Sequence, residues 1–226
     1  MNILQLTGQI RTHITQYDTP RFAVQKIVGD AFFDMRNEAR KSGFEIFPVS
    51  AFRDFDSQLR IWNLKFAGKR PLFDREGIRR DYHQLNESER IRCILNWSAL
   101  PGASRHHWGT EIDVADQTAV KGGYRVQLLP EEVNEDGLFY ALHCWLDENM
   151  KRFGFYRPYL GKGDGMYSEP WHISFGRIAD PALNELTLEL LDQLIEKSQI
   201  SGKVRVREIL PEIYQKHVIN VEPYIP

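Results

Sequence analysis

The sequence predicts a single α+β domain. Its 226 residues suit one domain with appendages better than two full domains. Several stretches repeat apolar residues at helical spacing, and short apolar runs read as strands. These strands do not alternate one-for-one with helices, which favours α+β over a parallel doubly wound sheet.

The first helix is expected after Thr19-Pro20, where Val24, Ile27, Val28, Ala31, Phe32, Met35 and Ala39 recur on one face and Gly43 is a stop signal. "FEIFPVSAF" (44–52) reads as a strand interrupted at Pro48. A second helix spans about 55–66, with Leu59, Trp62 and Phe66 inward. A third starts near Asn86, where Asn86 and Glu89 fit a capping box, and turns Ile91, Ile94 and Leu95 inward. "GTEIDVA" (109–115) is a strand, and 117–136 is an irregular excursion rich in glycine and acids. A fourth helix fits 138–152 and ends at Gly154. "GKGDGMY" (161–167) is a glycine-rich loop, a mobile rim rather than a phosphate loop, because no Lys-Ser/Thr follows a GxxxxG. "PWHISF" (170–175) is a strand. Asp180-Pro181 is read as the N-cap and first residue of a helix running to about Lys197, with Leu183, Leu186, Leu190, Leu191 and Leu194 inward. The last 25 or so residues form an extra element that the pattern does not assign.

Composition narrows the functions. A net charge of −2 gives no basic footprint for nucleic acid. No run of 18 apolar residues occurs, so no membrane span is expected. Cys93 and Cys144 form no CxxC or disulfide framework and are expected to be small buried hydrophobes. The N-terminus lacks the basic and apolar regions of a signal peptide. The expected location is cytoplasmic if the chain is full length, and periplasmic or secreted if an exporting segment has been removed.

Two strands carry the chemistry. Side chains alternate along a strand. In "WHISF", Trp171, Ile173 and Phe175 are expected on one face, with His172 and Ser174 on the other. In "TEIDV", Ile112 and Val114 face one way, Glu111 and Asp113 the other. Two carboxylates on one face repel unless something positive lies between them. Either the face is solvated, or it binds a metal. For a metal, one of the adjacent histidines His106 and His107, with Asp113 and His172, supplies the three protein ligands of a catalytic zinc. Glu169, just before Pro170, is then free to act on water.

These segments resemble the D-alanyl-D-alanine carboxypeptidase branch of the LAS zinc peptidases, named for lysostaphin, the D-Ala-D-Ala peptidases and sonic hedgehog. Ser104, His106, Gly109 and Asp113 match the motif S-x-H-x-x-G-x-A-x-D, and Glu169, Pro170, Trp171 and His172 match E-P-W-H. Upstream, Ser50, Arg53 and Gln58 are similar to S-G-Y-R-S-x-x-x-Q. The three motifs keep the family's order over roughly 45–176. The resemblance implies an antiparallel sheet flanked by helices. It also implies one zinc ion per chain on His106, Asp113 and His172, leaving His107 aside. It makes Glu169 the general base and later proton donor, and puts Arg53 over the scissile carbonyl. Gln58 and Ser104 then serve substrate binding, Gln58 by orienting substrate or Arg53.

One motif position departs from the family: Glu111 stands where alanine is usual. A metal-ligating histidine donates its other N–H to a carboxylate or carbonyl. Glu111 is therefore expected to partner a site histidine, or a cation such as Arg53 or Arg105. Tyr124, Tyr156, Tyr159 and Tyr167 are candidates to line a peptide cleft. His13, His83, His143 and His217 are read as structural.

The expected organisation is an N-terminal helical segment (1–43), a zinc peptidase core (44–178) and a C-terminal helix with an extension (179–226). The expected activity is hydrolysis of the terminal D-amino-acid bond of a peptidoglycan-type stem peptide or muropeptide, releasing D-alanine. A peptidoglycan endopeptidase of the same fold is an alternative. So is a non-enzymatic zinc-binding module like the hedgehog relatives. The presence of Glu169 and Arg53 disfavours the module.

Overall fold

The computed structural model describes residues 1–74, 77–120, 122–161 and 165–226. The chain opens with a short helix, α1 (Ile3–Leu6), and a hairpin of β1 (Thr15–Asp18) and β2 (Arg21–Val24). Then come α2 (Lys26–Lys41), β3 (Ile46–Ser50), α3 (Phe55–Phe66), a two-residue ribbon of β4 (Leu72–Phe73) and β5 (Arg79–Arg80), and α4 (Glu87–Leu95). The second half holds β6 (Glu111–Asp116), α5 (Tyr140–Asn149), β7 (Phe155–Tyr156), β8 (His172–Phe175) and four helices: α6 (Gly176–Glu185), α7 (Leu188–Lys197), α8 (Lys203–Glu208) and α9 (Leu210–Ile213).

The centre is an antiparallel sheet in the order β3-β6-β8-β7. Ile112 and Val114 of β6 and Ile173 and Phe175 of β8 pack on α2 and α5 through Val28, Phe32, Met35, Leu142 and Leu146. The opposite face carries Glu111, Asp113, His172 and Ser174, all buried. A second core, made almost wholly by helices, joins Trp62 of α3, Ile91 and Ile94 of α4 and Leu191 and Ile195 of α7 to Val206 and Leu210. The unassigned C-terminal residues therefore become the last two helices and close this core.

Local rules set the helix ends. Asp54 caps α3 by accepting from the Ser57 amide at 2.8 Å. Asn86 and Glu89 form the expected capping box of α4.

Two elements and two side chains differ from the sequence reading. The helix expected from Pro20 begins only at Lys26, after the hairpin; Val24 is a strand residue and Ile27 is 52% exposed. The hairpin forms because Tyr17 and Phe22 sit opposite each other and stack at 5.0 Å between ring centroids. The helix expected over 180–197 is two helices. α6 begins directly after β8 with Pro181 inside it, and Thr187 caps α7 by accepting from the Leu190 amide at 3.2 Å. Trp171 does not share the core of Ile173 and Phe175; it packs with Ala115, Val133 and Phe139 in a third, smaller cluster. Cys93 is buried, whereas Cys144 is exposed. Part of the glycine-rich loop, 162–164, lies outside the described residues. No helix among the described residues is long and apolar enough to cross a membrane.

Candidate metal centre

β6 and β8 pair so that Asp113 lies opposite His172 and Glu111 opposite Ser174. The tight 3-10 turn Arg105–Trp108 precedes β6 and ends at Gly109, whose φ of 66° lies in the left-handed region. A Cβ at Gly109 would meet Ile14 Cδ1 at 2.3 Å, so the chain needs glycine there for space as well as for conformation. The turn is tied to the N-terminal segment. The Gln25 amide donates to the Gly109 carbonyl at 2.9 Å, the Gln25 side chain to the Trp108 carbonyl at 2.7 Å, and the Trp108 indole to the Leu6 carbonyl at 3.0 Å.

This scaffold fixes both histidines of the turn. His106 Nδ1 lies 2.7 Å from the Ala51 carbonyl, which assigns the proton to Nδ1 and leaves Nε2 as the free lone pair. His107 turns away. Its Nε2 accepts from the Gly102 amide at 3.2 Å and its Nδ1 donates to the Arg53 carbonyl at 2.6 Å. Burial holds the His106 ring neutral, with its pKa down to about 3.

His106, Asp113 and His172 each offer an atom within 4.8 Å of the others. His106 Nε2 is 3.5 Å from Asp113 Oδ2, and His172 Nδ1 is 3.0 Å from Asp113 Oδ1. The far nitrogen of His172, Nε2, meets Glu111 Oε2 at 2.6 Å. Each histidine thus turns one nitrogen toward Asp113 and anchors the other to a carbonyl or carboxylate, the arrangement by which proteins orient zinc-binding imidazoles. Two nitrogens and one carboxylate in this compass fit one zinc ion.

Glu111 is fully buried and fully partnered. Besides His172 it accepts from Thr110 Oγ1 at 2.8 Å and Ser174 Oγ at 2.7 Å, and it pairs with Arg105 at 3.4 Å. Burial raises its pKa, but the Arg105 charge and the His172 contact outweigh that and hold it below the usual carboxylate range. Burial opposes charge on His172 as well; its hydrogen bonds to Asp113 and Glu111 win and raise it to about 10. Arg105 is buried, with its guanidinium over the Trp108 ring, and donates to Tyr156 Oη at 2.9 Å and to Ser174 Oγ at 2.7 Å.

Glu169 is partly buried, its Oε2 3.6 Å from His172 Nδ1. Burial pushes its pKa up to about 7. Its position is set from behind: Arg157 Nε donates to the Pro170 carbonyl at 2.7 Å. Arg53 is held rigidly, donating to Gln58 Oε1 at 2.8 Å and to Ser50 Oγ at 3.2 Å, while Gln58 grips the Ala99 carbonyl at 2.7 Å. Ser104 is buried at the head of the turn, its carbonyl accepting from the His107 amide at 3.0 Å.

Of the tyrosines, Tyr159 lies against the His172 ring at 4.9 Å and Tyr167 stacks on Trp97 at 4.6 Å. Tyr124 is exposed and bonded to Glu132 at 2.6 Å, away from the centre. The sequence reading passed over Lys65, whose charge interacts with that of Glu169. It also missed the holding roles of His107 and Arg157. Only the tertiary fold brings these residues to the site.

A model of one family, D-alanyl-D-alanine carboxypeptidase (VanY), matches residues 21–178, well over half of the chain. The chain belongs to the D-alanyl-D-alanine carboxypeptidase family. Membership makes it a zinc metallopeptidase, and His106, Asp113 and His172 are the cluster that could hold the ion among the described residues. The match begins within β2 and so takes in the helix that precedes the sheet. An uncharacterised protein of Haemophilus influenzae is 33% identical over 122 residues, spanning 53% of this chain and 93% of its own. The D-alanyl-D-alanine carboxypeptidase of Enterococcus faecalis is 26% identical over 148 residues, 63% of this chain and 44% of its own. Among solved structures, VanYB in complex with D-alanine-D-alanine superposes with a TM-score of 0.55 at 20% identity, covering 84% of this chain and 92% of that one. The vancomycin resistance D,D-pentapeptidase VanY in complex with Zn(II) gives 0.54 at 21% identity, covering 78% and 84%. At these identities the solved members of the family establish the shared fold.

Proposed function

We propose that this chain is a zinc-dependent carboxypeptidase that cleaves the terminal D-amino-acid bond of peptidoglycan-type stem peptides and releases D-alanine. The observation that carries the reading is the partly buried carboxylate of Glu169, 3.6 Å from a histidine of the His106–Asp113–His172 cluster. The family match, and the D-alanine-D-alanine bound to the structurally similar VanYB, support the substrate class.

His106, Asp113 and His172 would hold the ion, which supplies a Lewis acid for the carbonyl and lowers the pKa of water. The remaining work falls to side chains of this chain. A carboxylate poised near 7 can take a proton from the attacking water and return it to the leaving amine, so Glu169 serves as base and then acid. Arg53, fixed by Gln58 and Ser50, offers its guanidinium to the oxygen that gains charge in the transition state. Because both partners of Arg53 are neutral, its full charge remains available to that oxygen. Tyr159 packs on the His172 ring and limits water behind the site.

The test is direct. Zinc-loaded protein is incubated with muropeptide tri-, tetra- and pentapeptides and the products are identified by mass. Loss of one terminal D-alanine is expected; cleavage only within the stem would replace this reading with an endopeptidase. Glu169→Gln should retain zinc and lose most turnover, while His106→Ala should lose both. Near-normal rates in Glu169→Gln would refute the assigned base.

A further inference from the structure

Lys65 is not part of the three sequence motifs, yet α3 carries it close enough to Glu169 and Arg53 for their charges to act on it. It lies two helical turns after Gln58, the residue that clamps Arg53. Both side chains reach the same short segment: Gln58 holds the Ala99 carbonyl at 2.7 Å, and Lys65 Nζ donates to Ser98 Oγ at 2.6 Å. The same helix thus holds two cations within electrostatic reach of each other: it fixes Arg53 through Gln58 and carries Lys65 itself.

An ammonium has three N–H donors. Among the described residues Ser98 is the only hydrogen-bond partner of Lys65, and no carboxylate lies within ion-pairing distance of it. The charges it feels are mixed: Glu169 attracts it, while Arg70 and Arg53 repel it. Burial, the largest influence, brings the amine down to about 8, so it is still cationic at neutral pH. A partly buried cation with a neutral partner and two cationic neighbours is costly to keep. Such a group, within electrostatic reach of Glu169 but not paired with it, fits a place where the ligand brings the counter-charge.

We propose that Lys65 is a specificity-determining anchor for a carboxylate of the peptide substrate. The proposal rests on the carboxypeptidase reading given above. A peptide offers that carboxylate from two sources: the free C-terminus of the leaving residue, one residue past the scissile bond, or an acidic residue upstream of it. Arg53 answers the charge that appears during reaction. Lys65 answers a charge the substrate already carries, so it acts mainly on binding.

The experiment compares zinc-loaded wild type, Lys65→Gln, Lys65→Met and Lys65→Arg on four peptides. One has both carboxylates, one an amidated C-terminus, one an upstream glutamine for glutamate, and one both neutral changes. Binding of the same peptides is measured by calorimetry in a Glu169→Gln background, where turnover does not interfere. Loss of one charge-assisted hydrogen bond should lower kcat/KM and affinity roughly 10- to 100-fold for the peptides bearing the recognised carboxylate, chiefly through KM. The peptide lacking that carboxylate should be little affected, which identifies the source. Lys65→Arg should restore much of the loss. An equal fall on all four peptides, or no fall on any, overturns the anchor while the carboxypeptidase reading stands. Failure of the wild type to bind or cleave any of them overturns both.

Discussion

Glu111 shows how a single residue can be read from pattern and yet draw its meaning from contacts. Strand alternation puts it beside Asp113, and electrostatics demands a positive partner for the pair. Which partner is beyond the sequence, because His172 and Arg105 arrive from other segments. In the structure Glu111 joins them, accepting from His172 Nε2 at 2.6 Å and pairing with Arg105 at 3.4 Å. Glu111→Ala restores the residue usual in the family at that position. It should weaken zinc affinity roughly 10- to 100-fold, as expected when a metal-ligating histidine loses its outer hydrogen-bond partner. It also strands Arg105 in the interior, so thermal stability should fall as well. Competition against a calibrated chelator reads the affinity; an unchanged value would show that His172 needs no carboxylate behind it. Arg53→Ala tests the other charged group. Turnover should drop about 10²-fold or more, mostly in kcat, and a change confined to KM would move Arg53 from transition-state stabilisation to ground-state binding.

At the scale of elements, α4 was legible from its capping box of Asn86 and Glu89, and α3 from the spacing of Leu59, Trp62 and Phe66. Elements decided by partners were not. Val24 fits both a strand and the i, i+4 series of the following helix, and the hairpin, held by the stacking of Tyr17 on Phe22, resolves the tie. Likewise the leucines of 183–194 read as one helix, and only the extended backbone at Leu186 and the cap at Thr187 divide it. The turn carrying His106 combines both kinds of information. Gly109 is visible as a motif glycine, but its tie to Gln25 and its closeness to Ile14 are tertiary. Gly109→Ala forces a left-handed alanine, costing about 1–2 kcal/mol, and drives a methyl into Ile14. The melting temperature should fall by several degrees and zinc affinity with it, since the turn positions His106. An unmoved melting curve would mean the turn can reshape without cost.

For the whole molecule, the α+β class follows from local periodicity, while the division of labour between its cores does not. The helical core of α3, α4 and α7 carries Gln58 and Lys65 to one side of the site, and the sheet core under α2 and α5 sets the metal-facing strands. A third link runs from α5 to the entry of β8: Arg157 bridges the Pro170 carbonyl, the Asp147 carboxylate and His143 Nδ1, which accepts from Nη2 at 3.0 Å. His143 is buried, and burial together with the Arg157 charge brings its pKa down to about 3. This gives the fold an acid-sensitive element. The unfolded chain protonates this histidine near its ordinary 6.5, whereas the folded chain resists until about 3. The stability it supports is therefore complete above 6.5 and is lost as pH falls through that window, at about 1.4 kcal/mol per pH unit. His172, raised to about 10, is protonated in both states below 6.5 in metal-free protein and adds little slope there. His143→Asn keeps an acceptor for Arg157 and cannot titrate. Urea unfolding of metal-free protein between pH 6.5 and 5 should show a slope shallower in the variant by about 1 kcal/mol per pH unit on average, steepening toward pH 5 as the unfolded histidine becomes fully protonated. Parallel slopes would mean that His143 charges in the folded protein as easily as in the unfolded chain, and that Arg157 holds β8 without its help.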